Sequence, residues 1–283
     1  MKKLVSILFV LILLVLTFSA CDGGEGIPFI TTQSPTTAPD NTVMVTFPEG
    51  FTVMDIAKRL EEKGVCSADA FIEECKTNGG SADVKNPDER VFAAEGYLFP
   101  DTYEFYLDSK PHEVIERFKE NYNAMINNEL KAEIKAKGYD VDEIIILASI
   151  IQKECDEDIA ECSNVSSVFH NRLKSPSFPY LQSDPTSFYI RENLGEYLGY
   201  NKDLELEEQT EEVQKYFNLY STYYCNGLPA GPICNPGMKA IRAAINPADT
   251  DYVYFLTDAT CKNFYYASTL EQHQENGRLA GLF

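Results

Sequence analysis

Tryptophan is absent from the 283 residues, and histidine occurs only three times, at His112, His170 and His273. Without tryptophan, any stacking on a sugar ring falls to the 17 tyrosines and 17 phenylalanines. Three scattered histidines and no Cys-x-x-Cys spacing exclude the usual zinc arrangements, so no metal is expected. Basic residues are also scarce: 24 Lys and Arg stand against 44 Asp and Glu, a net charge of −20. That balance excludes nucleic acid and anionic membrane surfaces as partners, but it leaves neutral polymers such as glycans open. The chain has no phosphate-cradling glycine-rich loop, no internal repeat and no defensible Ser-His-Asp spacing, and no cofactor is expected. The acidic run Asp156-Glu157-Asp158 lacks the glycine and distal glutamate of the usual calcium loop and reads as a solvated connection.

The N-terminus pairs Lys2-Lys3 with a largely apolar run of 17 residues from Leu4 to Ala20. This is the shape of an export signal, and the run is also just long enough for a short membrane span. Phe18-Ser19-Ala20-Cys21 resembles a lipoprotein processing site, which would make Cys21 a lipidated new N-terminus. An uncleaved single-pass anchor is the alternative. Both place the rest of the chain on the extracytoplasmic face of the cell membrane. Residues 22–42 are rich in Gly, Thr, Ser and Pro and read as a flexible spacer. Beyond Cys21 lie seven cysteines, with local pairs conceivable at 66/75, 155/162 and 225/234.

Val43 to Phe47 alternates as a short strand. Thr52 then caps an amphipathic helix from Val53 to Lys63, and Ser67 starts another through Cys75. A strand, two short helices and a following extended segment resemble a LysM-like module over 43–92, although a plain scaffold subdomain fits equally well. The spacing predicts a helix from Pro111 to about Lys137, a buried helix capped by Asp142 that ends near Glu154, and another capped by Ser163. Pro236 starts a helix, Tyr252–Leu256 and Phe264–Ala267 form a β-pair, and a last helix begins at Thr269. Asp184-Pro185 and Gly227-Leu-Pro read at least as turns. For Tyr97, Phe99 and Tyr103 packing is the plainer role.

Glu154 ends a nearly all-apolar stretch that starts at Ile144. At helical spacing Ile150, Ile151 and Leu147 share its face. A carboxyl group at the edge of an apolar wall resists ionisation and can carry a proton near neutral pH. A general acid for glycosidic bond cleavage needs that property.

Four segments in this order resemble the endolytic murein transglycosylase family (YceG/MltG-like proteins). They are Glu95–Tyr103 (EGYLFPDTY), Leu147–Glu154 (LASIIQKE), Val168–Leu173 with Leu181–Thr186 (VFHNRL, LQSDPT), and Tyr220–Tyr223 with Gly227–Ile233 (YSTY, GLPAGPI). The resemblance implies an α+β fold in which a small LysM-like subdomain precedes a mixed α/β, lysozyme-like lytic transglycosylase domain at 93–283. It puts the catalytic glutamate on Glu154 and substrate contacts on Gln182, Asp184, Tyr220, Ser221, Thr222 and Gly227. It also implies peptidoglycan glycan strands as substrate and leaves open a cell-wall synthesis complex as partner. The chain departs from the family pattern at Gln152, where a second glutamate is usual, at Ser221, where asparagine is usual, and at Ala230, where a proline is. A hydrolase with Asp184 holding a water, and a non-catalytic glycan-binding lipoprotein of the same fold, are the competing readings.

Overall fold

The computed structural model describes residues 41–79, 81–156, 158–260 and 263–282. The expected leader at 1–21 with its Cys21, and the spacer up to residue 40, lie outside the described residues. Residues 41–283 belong to one compact unit. Among the described residues no helix is long and apolar enough to cross a membrane.

The chain opens with β1 (Thr42–Thr46), which runs antiparallel to β2 (Thr102–Tyr106) with Val45 opposite Tyr103. Alternation sends Val45, Tyr103 and Phe105 to one face. There Phe47, Tyr103 and Phe105 cluster on Phe118 of helix α3 (Pro111–Met125). Between the strands come α1 (Val53–Glu62) and α2 (Ala68–Thr77). A capping box between Thr52 and Asp55 starts α1, and the Ser67 side chain caps α2. Val53, Ile56, Ala57 and Leu60 recur on the inner face of α1 and are fully buried.

The run expected as one helix over 111–137 divides in two. Ile126 closes α3, and the Asn127 side chain accepts the Leu130 N–H to start α4 (Asn128–Ala136). An asparagine offers the chain a fresh cap, and periodicity alone does not register it. Next is α5 (Val141–Glu154), whose Ile144 through Ile151 are all buried. It lies in the core against α6 (Ile159–Lys174) and α10 (Met238–Ile245). Two expected caps are corrected. Asp140, in a capping box with Glu143, begins α5, while Asp142 is buried and accepts bonds from Arg90 and Tyr97. Asp158 caps α6, and Ser163 sits inside it.

The acidic stretch after residue 183 is more regular than its composition suggests. It holds α7 (Asp184–Phe188), a π turn at Tyr189–Asn193, α8 (Gly195–Leu198) and α9 (Glu211–Tyr220). A second antiparallel pair, β3 (Tyr254–Thr257) and β4 (Phe264–Ala267), and a last helix α11 (Leu270–Leu279) close the chain. A Cys155–Cys162 disulfide joins the end of α5 to α6, whereas Cys66, Cys75, Cys225 and Cys234 are free thiols. The result is an α+β architecture of helices with two small two-stranded sheets.

Glu95 is a buried carboxyl group, with no exposed surface. It accepts from the Val53 N–H at the start of α1, from Asn235 and from the Tyr189 hydroxyl. It thus joins α1, the π turn and the loop before α10.

Candidate active site

Glu154 ends α5, and the next residue is locked by the disulfide to α6. Its side chain is half-buried, and Oε1 accepts a 2.6 Å hydrogen bond from the Ser183 hydroxyl. Burial pushes the Glu154 carboxyl up to about 6; the Ser183 bond pulls the other way, the nearby Asp184 charge adds to the rise, and Arg172 opposes it. A carboxyl group near 6 holds its proton for a useful fraction of molecules close to neutral pH.

Ser183 reaches Glu154 because of an unusual backbone turn. Gln182 adopts φ 52°, in the left-handed region that non-glycine residues rarely enter. The Gln182 N–H donates to the Thr222 carbonyl, and the Ser183 N–H donates to the Thr222 hydroxyl. Thr186 bonds both the Ser183 carbonyl and Thr222. From below, the buried Arg172 donates to the Leu181 and Val253 carbonyls. The loop before α7 is therefore held by α6, by β3's leading residue and by the segment after α9, and it presents Ser183 to the acid.

The expected substrate contacts separate into two groups. Gln182 and Asp184 are exposed beside Glu154, and Asp184 accepts a 2.8 Å bond from the exposed Tyr223 hydroxyl. Tyr220, Ser221 and Thr222, by contrast, have no exposed surface. Tyr220 packs on Tyr189, Ser221 bonds Ser187, and Thr222 braces the 182–186 turn. Their side-chain chemistry is turned inward, where it builds the wall behind the loop. Gly227 is half-buried with φ 75°, and its N–H donates to the Pro179 carbonyl. It joins the two loops through its backbone. Tyr97 is likewise a packing residue, buried against Tyr122 with its hydroxyl on Asp142.

Reading the sequence missed Ser183 and Arg172 as parts of the site. Ser183 lay inside a quoted motif, and a hydroxyl between two polar residues chosen for contact was the available signal. Gln152, one of the departures from the family pattern, faces away from the acid: its Oε1 accepts the Gly237 N–H that opens α10. Ala230 donates its N–H to the Leu219 carbonyl. Among the described residues no group of three or more His, Cys, Asp or Glu is placed to hold a metal ion. One partly buried acid, a hydroxyl donor and a second carboxylate next to it can protonate a leaving oxygen and receive a proton back.

Among curated relatives, a Bacillus subtilis protein named endolytic murein transglycosylase is 35% identical over 182 residues, covering 64% of this chain and 46% of its own length. A Streptococcus pneumoniae protein of the same name is 29% identical over 253 residues, covering 82% of this chain and 43% of its own length. The chain thus spans less than half the length of these relatives. The crystal structure of a YceG-like protein from Listeria monocytogenes, 29% identical, superposes with a TM-score of 0.64 over 82% of this chain and 75% of that one. The helical core carrying Glu154, the loops around it and the β3–β4 pair all fall within residues 30–278, the span matched by the YceG-like family model, and the chain belongs to that family.

Proposed function

We propose that the protein is an endolytic transglycosylase of peptidoglycan, acting on the extracytoplasmic face of the cell membrane and cutting glycan strands within the chain, which limits their length. The observation that carries this reading is the Glu154 carboxyl, partly dehydrated and bonded to Ser183 beside Asp184. The names of the two curated relatives support it.

In the first step Glu154 gives its proton to the oxygen leaving the muramic acid carbon, and the glycosidic bond breaks. Glu154, now a carboxylate, takes the proton of the same sugar's 6-hydroxyl as that oxygen closes on the anomeric carbon. The products are a 1,6-anhydro end and a free hydroxyl end, and no water is consumed. One carboxyl group suffices, whereas hydrolases usually place two across the bond. Ser183 steadies the carboxylate between the two transfers. Asp184, exposed and bonded to Tyr223, is in reach of a sugar hydroxyl. A hydrolase would instead use Asp184 to hold water, giving a product one water heavier. Gln152, spent on Gly237, takes no proton, so its presence in place of glutamate does not argue for an inactive protein.

Purified sacculi digested with the full chain should release anhydro-ended muropeptides by mass spectrometry, and Glu154→Gln should release none. Undiminished product from that variant would remove Glu154 from the reaction; hydrated ends alone would favour the hydrolase.

A further inference from the structure

Lys153 precedes Glu154 on the last turn of α5, and its side chain is exposed. No carboxylate lies within ion-pairing distance of it among the described residues. It lines a cleft of about 370 Å³ with Pro185 and Phe188 of α7, Ile233, Glu192 and Asn193. Phe188 is 42% exposed. Glu154 and Ser183 are not among its lining residues, but their neighbours in the chain are. On α5 the neighbour of Glu154 lines it, and on α7 it is lined by a residue two beyond Ser183. A strand whose scissile bond sits at Glu154 has this cleft within reach of an adjoining group, through Lys153 on one side and Pro185 on the other. Glu192 and Asn193 also edge a groove of about 1020 Å³ along α1, α2 and α8. The cleft thus opens at its far end into room for an extended chain.

A neutral sugar gains little from a cleft lined by the Lys153 ammonium and by the exposed Phe188 ring, over which the Arg191 guanidinium lies at 5.2 Å. An acyl chain carrying a carboxylate gains from both, through charge at one end and apolar contact along its length. The need is acute in a protein of net charge −20, whose field repels acidic groups unless a local cation receives them. Resting on the glycan-cleaving reading, we propose that this cleft is a subsite for the acidic peptide substituent of a muramic acid next to the bond cut. Lys153 pairs with a carboxylate of that peptide, and Phe188 and Pro185 cover its apolar part. Glu192, on the opposite side, works against the same charge and tunes the preference.

The test is equilibrium binding of fluorescent glycan fragments matched in length, either bearing their peptides or stripped of them by amide cleavage with the lactyl carboxylate so exposed capped as a neutral methylamide. The full chain carries Glu154→Gln so that bound strands are not consumed. Peptide-bearing fragments should bind about tenfold more tightly at low salt, as a charge-assisted contact provides. Adding Lys153→Met should bring the ratio close to one, Lys153→Arg should keep most of it, and Glu192→Gln should raise it. A ratio that Lys153→Met leaves unchanged, or no preference at the outset, overturns the subsite. Turnover by the unmodified chain is scored separately. Absence of any cleavage together with a Lys153-dependent binding preference would sink the transglycosylase reading and leave the subsite standing; cleavage without preference would do the reverse.

Discussion

Ser183 and Asp184 pull the acid in opposite directions, and that opposition can be measured. The Ser183 hydroxyl donates to Glu154 and favours its charged form; the Asp184 charge favours the neutral one. In the proposed reaction Glu154 starts protonated, so activity should fall as pH rises through its pKa of about 6. Ser183→Ala removes the donor, raises that pKa and moves the falling limb of the pH–rate profile upward by about one unit, the worth of one hydrogen bond to a charged group. Asp184→Asn moves the same limb downward. Both limbs moving the same way would show that Ser183 acts on the loop and not on the proton. The position of Glu154 at the end of a buried helix was legible in the sequence, because Ile150 and Ile151 one turn away belong to an apolar face. Ser183 was not, since its inward aim depends on Gln182 at φ 52° and on carbonyls held by Arg172. The inward aim of Tyr220, Ser221 and Thr222 was not legible for a related reason: a polar motif shows that hydrogen bonds are needed, and gives no sign of which side of a wall receives them.

Elements were most readable where a cap and a periodic face coincided, as in α1, where Thr52, Asp55 and the buried stripe agree with the observed helix. They were least readable where a single side chain changed role. Asp142 has the composition of a helix cap but is buried on Arg90, and Asn127 breaks a run whose apolar spacing continues past it. Glu95 joins α1, the π turn and the loop before α10, and burial pushes its carboxyl up to about 8 against the pull of the Val53 N–H and the Tyr189 hydroxyl. A carboxyl group raised in this way binds its proton more tightly folded than unfolded. The associated stability is fully present below the unfolded value near 4.5 and is lost as pH rises through about 8. Its upper bound is about 5 kcal/mol at 1.36 kcal/mol per pH unit. The melting temperature should therefore fall between pH 5 and pH 8.5, and Glu95→Gln, though less stable at pH 5, should show a much flatter dependence over that window. Equal slopes for the two proteins in calorimetry at matched salt would mean that Glu95 is ionised throughout.

At the scale of the whole molecule, the division expected after residue 92 has to contend with β1, whose hydrogen-bonding partner β2 lies at 102–106. The aromatic cluster does the same, since Phe47 packs on Tyr103, Phe105 and Phe118. One hydrophobic core runs without interruption from Val45 through α5 to Ile245. Deleting residues up to 92 removes Val45, Phe47, Val53, Ile56, Leu60 and Phe71, all buried. At about 2 kcal/mol for each such side chain, the loss is comparable to the roughly 5–15 kcal/mol that hold a domain folded. It also strips β2 of its partner and leaves Glu95 without the Val53 N–H. A fragment 41–283 should accordingly melt in one cooperative calorimetric transition, whereas 93–283 should show none and expose apolar surface to a hydrophobic dye. If 93–283 folds cooperatively, the preceding part of the unit is a separate module; if it does not, strand, helices and acid-bearing core are one folding unit, and the groove along α1 and α2 is a wall of that same unit.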